Sequence, residues 1–140
     1  MNETKCALVI DESLPVGLIA NTAAILGATL GKNNPALLGG NVTDGSGIEH
    51  LGIVNVPIPI PILKGNAGLL YELRQKLLTD EFSDILVVDF TDVAQSCHTY
   101  EAYIEKFQAS ASSDYRYFGI GMCGDKKKVN RLTGSLGLLK

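Results

Sequence analysis

Apolar and polar positions along the chain follow two periods. Lys5 to Ile10 is a short run of mostly apolar residues closed by Asp11 and Glu12, the pattern of a buried strand. Behind Pro15, which a first helical turn tolerates, Val16, Ile19, Ala20, Ala23 and Gly27 recur at helical spacing to about Gly31. That face is mostly small and predicts a neighbour packed closely against it. Residues 32–49, rich in Gly and Asn, predict a long loop with at most a short helical turn. Asn66 fits the N-cap of a helix through Leu69, Leu70, Leu73 and Leu77, with Glu72 and Lys76 as an i,i+4 pair. Ile85 to Asp89 predicts a second buried strand, and Tyr115 to Ile120 the last one. Between them, an amphipathic helix over about 99–109 carries Tyr103, Ile104 and Phe107. Val129, Leu132, Thr133 and Leu136 mark a closing helix. Strands alternating with helices predict an α/β fold on a small sheet, and no internal repeat is visible.

Val56 to Leu63 reads V-P-I-P-I-P-I-L. Alternation places Val56, Ile58, Ile60 and Ile62 on one side and Pro57, Pro59 and Pro61 on the other. Three prolines would strip the amide donors from one edge of a strand, so the segment predicts an edge strand paired on one side only.

The length of 140 residues fits one domain spanning residues 1–140, large enough for a core without metal or disulfide support. A 46% hydrophobic and 19% charged composition excludes a disordered tail. The net charge of −3 argues against a general nucleic-acid binder. Its placement is uneven: residues 125–140 hold five basic and one acidic residue, the rest seven basic and fourteen acidic. Cys6, Cys97 and Cys123 are an odd number with no zinc-type spacing, so neither a fully self-paired disulfide set nor a metal site is expected. The uncharged stretch Ser13 to Gly31 contains Pro15, Asn21 and three glycines, which favours a buried helix over a membrane span. Nothing at the N-terminus resembles a signal peptide, so a cytoplasmic location is expected.

Gly119-Ile120-Gly121-Met122-Cys123-Gly124 spells G-x-G-x-x-G between an expected strand and helix. A dinucleotide site also needs a further strand with an acid about 20 residues on, and only sixteen residues follow Gly124. A Rossmann site is therefore rejected and no cofactor is expected. A glycine-rich turn at a helix N-terminus with Lys126, Lys127 and Lys128 remains, where free amides can hold an anion. Solvated lysines on an exposed turn are the commoner meaning of such a run. Asp89, Thr91 and Asp92 close a buried strand, where α/β folds place ligands, and Asp11 and Glu12 close the first strand in the same way. An acid there caps a helix about as often as it serves chemistry. Asn21 and Thr22 are polar positions in an apolar helix, and a buried amide needs partners. Cys97-His98 looks like a nucleophile and base, but adjacent side chains diverge on a regular element. A working pair would come from separate elements, for example Cys97 with His50.

Two segments resemble a known family. Phe118 to Leu139 reads F-G-I-G-M-C-G-D-K-K-K-V-N-R-L-T-G-S-L-G-L-L and looks like the last strand and helix of the peptidyl-tRNA hydrolase II family, with its G-I-G-P and V-T-G-H-L-K-L-L. Gly17-Leu18-Ile19-Ala20 is similar to that family's G-K-I-A-A-Q. As a whole the chain resembles the family called domain of unknown function 2000, relatives of the hydrolase fold with no assigned reaction. The resemblance implies a three-layer sandwich around a mixed sheet of about four strands, in a homodimer. It also implies a remodelled site: the hydrolases' first-helix lysine falls at Leu18, their histidine at about Ile25 and their final threonine near Arg116. Their aspartate alone has a counterpart, at Asp89. The helix over 99–109 stands where the hydrolases have a short connection.

Together these features predict a protein binding a small anionic ligand, with Asp11, Asn21, Thr91, Gly121, Gly124 and Lys126 as ligand contacts. The alternative is a divergent hydrolase on an N-acyl or peptidyl-tRNA-like substrate with Asp89 as base. An interaction module whose dimer surface is the function is the third expectation. Partners are then the small molecule and a second copy, without nucleic acid or membrane.

Overall fold

A computed structural model describes residues 3–55 and 58–140. The first apolar run forms strand β1 (Thr4–Asp11), and the small-faced segment forms helix α1 (Val16–Asn33). Strands β2 (Val42–Thr43) and β3 (Glu49–His50) make a hairpin, followed by β4 (Ile62–Gly65) and helix α2 (Ala67–Leu77). Strand β5 (Leu86–Thr91) leads into the short helices α3 (Asp92–Ser96) and α4 (Tyr100–Gln108). Strand β6 (Tyr117–Asp125) and helix α5 (Lys126–Thr133) complete the order. Local chemistry agrees with these bounds: Asn66 Oδ1 accepts the Leu69 amide at 2.9 Å, and the Thr99 hydroxyl accepts the Ala102 amide at 3.1 Å.

The main sheet is mixed and four-stranded, in the order β4-β1-β6-β5. β4 runs parallel to β1, and β6 runs antiparallel to both β1 and β5. Period-two alternation divides each strand between two cores. Cys6, Leu8 and Ile10 bury with Leu26 and Leu30 of α1, while Ala7 and Val9 bury with Leu70, Leu73 and Leu77 of α2 and Val129 of α5. Helices thus lie against both faces of the sheet.

The glycine segment corrects the expectation of a turn. Gly119, Gly121 and Gly124 all lie inside β6, paired with β1 on one side and, at Gly119 and Gly121, with β5 on the other. Their role is close packing. A Cβ on Gly119 would lie 2.7 Å from Cγ2 of Thr22 and 3.1 Å from Cδ1 of Leu26. One on Gly121 would lie 3.0 Å from both Leu8 and Val88, and one on Gly124 2.5 Å from Cδ1 of Ile85. Glycine within a strand marks such close approach as readily as a turn. Phe118 is the extra residue of a bulge, since Phe90 pairs with Gly119 and Thr91 with Tyr117.

The proline segment is also corrected. Regular pairing starts only at Ile62, after the prolines, and Val56 and Pro57 lie outside the described residues. Pro61 contributes its carbonyl to the Leu8 amide at 2.9 Å. The outer side of β4 is occupied: Lys64 donates to the Gly137 carbonyl and Leu139 to that of Ile62, both at 2.9 Å. The chain's last residues therefore cover that edge. Within the expected loop over 32–49, a 3-10 turn (Pro35–Leu37) precedes the β2–β3 hairpin. Asp44 organises that hairpin by accepting the Ser46 and Ile48 amides, and Gly47 takes a left-handed backbone with φ 82°.

One buried ion pair fastens the sheet's end. Asp11, 1% exposed, accepts the backbone amide and hydroxyl of Ser13 through Oδ1 and the Arg116 guanidinium through Oδ2. Burial alone would raise this carboxyl, but the Ser13 bonds and Arg116 outweigh it and hold it below the ordinary aspartate range.

Two outcomes are expected. Gly119→Ala should destabilise by about 1–3 kcal/mol in chemical denaturation, because Thr22 and Leu26 must move. Arg116→Ala should cost about 1.5–3 kcal/mol at neutral pH, towards the lower end because half of the guanidinium stays in water. Because Asp11 is lowered on folding, its stabilisation holds above the unfolded carboxyl's pKa and fades as pH falls through the folded one. Acid unfolding of Arg116→Ala, followed by circular dichroism, should accordingly begin at higher pH than in the parent.

Candidate functional site

β1, β4 and β5 run parallel, so their C-terminal ends share one end of the sheet. Asp11 and Thr91 are there, with Asp92 Oδ1 accepting the Arg116 amide at 3.0 Å. Thr91 is 1% exposed, and its hydroxyl has no hydrogen-bond partner among the described residues. Gly124 and Lys126 belong to the opposite end, where Gly124 pairs with Lys5 and the Lys126 amide donates to Glu3. The single cleft expected from Asp11 to Lys126 is thus divided along the length of the sheet.

Three of the four basic side chains of α5 have acidic partners. Lys126 Nζ meets Glu3 and Lys128 Nζ meets Asp84, each at 2.9 Å, while Arg131 pairs with Glu81. Asp125 caps α5 by accepting the Lys128 amide at 3.2 Å. A carboxylate already occupies the place where an anion was expected, and Gly121 and Gly124 present no turn to hold one. Asn21 is exposed on the outer side of α1, whereas Thr22 is buried and donates to the Leu18 carbonyl at 2.8 Å.

Asp89 has a different setting. It sits on β5, the outer strand, and its Oδ2 accepts Arg74 Nε of α2 at 3.0 Å. Along this strand runs a cleft of about 480 Å³. Ile25 and Thr29 of α1 wall one side, Val88 to Phe90 form the floor, and Cys97 to Tyr100 with Tyr103 close the other side. Cys97 and His98 share this cleft even though they are adjacent, because they lie in the irregular link between α3 and α4 rather than on a regular element. His50 is elsewhere: it pairs with Asp44 at 2.8 Å in the hairpin, so Cys97 and His50 are not brought together.

An aromatic row backs the cleft. Tyr100, Tyr103, Phe107, Tyr115 and Tyr117 follow one another at ring separations of 4.9–5.5 Å. Burial pushes the Tyr103 phenol up, and the Asp89 carboxylate adds to it, so Tyr103 is a hydrogen-bond donor at neutral pH. Sequence reasoning reached Asp89 but missed Ile25, Thr29, Arg74 and Tyr100 as its company. The i,i+3 spacing of Tyr100 and Tyr103 was the available signal; the Arg74 pairing left none. Among the described residues, no group of three or more His, Cys, Asp or Glu side chains is placed to hold a metal ion. No helix among them is long and apolar enough to cross a membrane.

The fold has a solved counterpart. A protein of unknown function from Agrobacterium tumefaciens strain C58 superposes with a TM-score of 0.86 over 99% of this chain and 98% of that one, at 20% identity. No curated protein matches the chain. The model of the family described as protein of unknown function DUF2000 matches residues 4–140, nearly the whole sequence and every element of the sheet. The chain belongs to the DUF2000 family.

Proposed function

We propose that the chain binds a small, flat, partly apolar molecule carrying a hydrogen-bond donor in the cleft along β5. The observation that carries this reading is a cavity of about 480 Å³ at the β5 edge with Asp89 in its lining, the carboxylate of that residue held by Arg74 of α2 at 3.0 Å. Concave, mostly apolar cavities with a few convergent polar groups are the usual form of small-molecule sites. Ile25, Phe90 and Tyr103 offer apolar surface, and a fixed carboxylate only accepts hydrogen bonds. That chemistry favours a donor and disfavours the anion expected from sequence. The ligand is kept from the sequence reading; its charge and its place are changed.

A second reading is a hydrolase with Asp89 as general base, favoured by the presence of Asp89 in the lining of the same cavity. The finer fold assignment, a three-layer sandwich of the peptidyl-tRNA hydrolase II type, belongs to this proposal as well. Helices against both faces of a mixed four-stranded sheet support it. A homodimer belongs to the proposal too, and the exposed apolar side chains of Val42, Ile48, Leu51 and Ile53 on the hairpin arm, 58–80% exposed, support a second copy there.

Thermal-shift screening should find saturable stabilisation by planar amines, amides or amidines, lost in Ala94→Trp, which fills the cleft, and weakened in Asp89→Asn. Stabilisation by phosphate or carboxylates that disappears in Lys126→Ala would return the ligand to the basic end and overturn the reading. Release of product from peptidyl-tRNA or N-acyl amino acids, abolished in Asp89→Asn, would favour the hydrolase.

A further inference from the structure

Cys6 and Cys123 are directly opposite one another in the β1–β6 ladder. The backbone shows which kind of pair they make. Lys126 donates to the Glu3 carbonyl at 2.8 Å, so Thr4 and Asp125, one step inward, form a pair whose own amides point away from each other. That arrangement repeats at every second position, hence at Cys6–Cys123 and at Leu8–Gly121. The Leu8 amide agrees, since it turns outward to the Pro61 carbonyl at 2.9 Å. Pairs of this type bring the Cα atoms to about 4.5 Å, inside the range of about 4.4–6.8 Å that disulfides span. Both side chains lie on the α1 side, in one buried cluster, and both thiols are free.

The two sulfurs are not equivalent. Asn34, half-buried at the C-terminal end of α1, directs Nδ2 at Cys123 Sγ across 3.6 Å. The hydrogen bond with Cys6 is the largest influence on Cys123 and lowers it to about 7, against the effect of burial and with help from Asn34. The same bond, followed by burial, pushes Cys6 up. Asn34 donates to Cys123 and not to Cys6, which favours the thiolate at Cys123, and the thiolate is the nucleophile.

We infer that Cys6 and Cys123 form a cross-strand dithiol that hydrogen peroxide converts to a disulfide, with Asn34 as the positioning residue for Cys123. The Cys123 thiolate attacks one peroxide oxygen, the O–O bond breaks, and the departing hydroxide takes a proton and leaves as water. Cys123 is then a sulfenic acid. The Cys6 sulfur attacks the Cys123 sulfur, the S–O bond breaks, and the Cys6 proton leaves with that oxygen as a second water. Two thiols are oxidised and one peroxide is reduced. The product ties β1 to β6 across the middle of the sheet and closes a loop over nearly the whole chain. Cys97, at the β5 cleft, has no part in it.

The test uses the full chain, reduced and then exposed to hydrogen peroxide at neutral pH before alkylation under denaturing conditions. Intact mass should show loss of two hydrogens and one alkylatable thiol remaining. A non-reducing peptide map should contain a Cys6–Cys123 crosslink, dithiothreitol should remove it, and the thermal midpoint should be higher in the oxidised form. In Cys6→Ser, oxidation should stop at a Cys123 sulfenic acid that dimedone traps. In Asn34→Ala, the pH profile of crosslinking should move to higher pH. Three alkylatable thiols at a peroxide excess that oxidises glutathione would overturn the inference. So would a crosslink through Cys97, or Cys123 sulfinic acid without a crosslink.

Discussion

The position of α1 depends on what β6 lacks. Thr22, Leu26 and Leu30 fit over Gly119 and Gly121, where any side chain would collide with them. An interior so closely packed leaves little room for adjustment, so the absence of two Cβ atoms fixes how near the helix comes to the sheet. The same distance sets Ile25 and Thr29 as a wall of the β5 cleft and places Asn34 over Cys123. A central strand that runs antiparallel to both neighbours makes these relations possible, because it brings residues 117–125 between the first and fifth strands.

Charge is organised on a shorter scale than its distribution along the sequence suggests. The basic last helix finds acids from three separate segments, Glu3, Glu81 and Asp84. Exposed pairs of this kind contribute little to stability, yet they engage Lys126, Lys128 and Arg131. The two buried or half-buried carboxylates behave differently. Asp11 is enclosed by Ser13 and Arg116 at the end of the sheet, and Asp89 is held by Arg74 beside a cavity. The first is a structural fastening; the second belongs to a residue that lines the β5 cleft.

The two edges of the sheet have opposite fates. Beside β4 residues 137–139 supply hydrogen bonds, and Pro59 and Pro61 before it have no amide donor with which to extend the pairing upstream. Beside β5 the connection through α3 and α4 stands off from the strand and leaves the cleft. Edge strands are commonly covered or interrupted in one of these ways. Here the uncovered edge is the one that carries the candidate site.

Local pattern sufficed for much of the chain. The apolar run before Asp11, the helical spacing after Pro15, the Asn66 cap, the amphipathic helix over about 99–109 and the buried run ending near Asp89 are all determined within a few residues, and each element forms close to where its pattern predicts. The glycines of β6 were legible as a motif but not as a strand, because a missing side chain means close approach only once the approaching helix is known. The prolines gave an edge but not its covering, which comes from residues some 75 positions away. Asp89 was visible as an acid at a strand's end, whereas Arg74 and Tyr103 approach it from separate elements. The Cys6–Cys123 pairing is likewise a matter of register, set by backbone hydrogen bonds between distant strands. Short-range periodicity determined the elements; the tertiary structure alone decided which side chains meet, because those meetings depend on strand order and register rather than on neighbouring sequence.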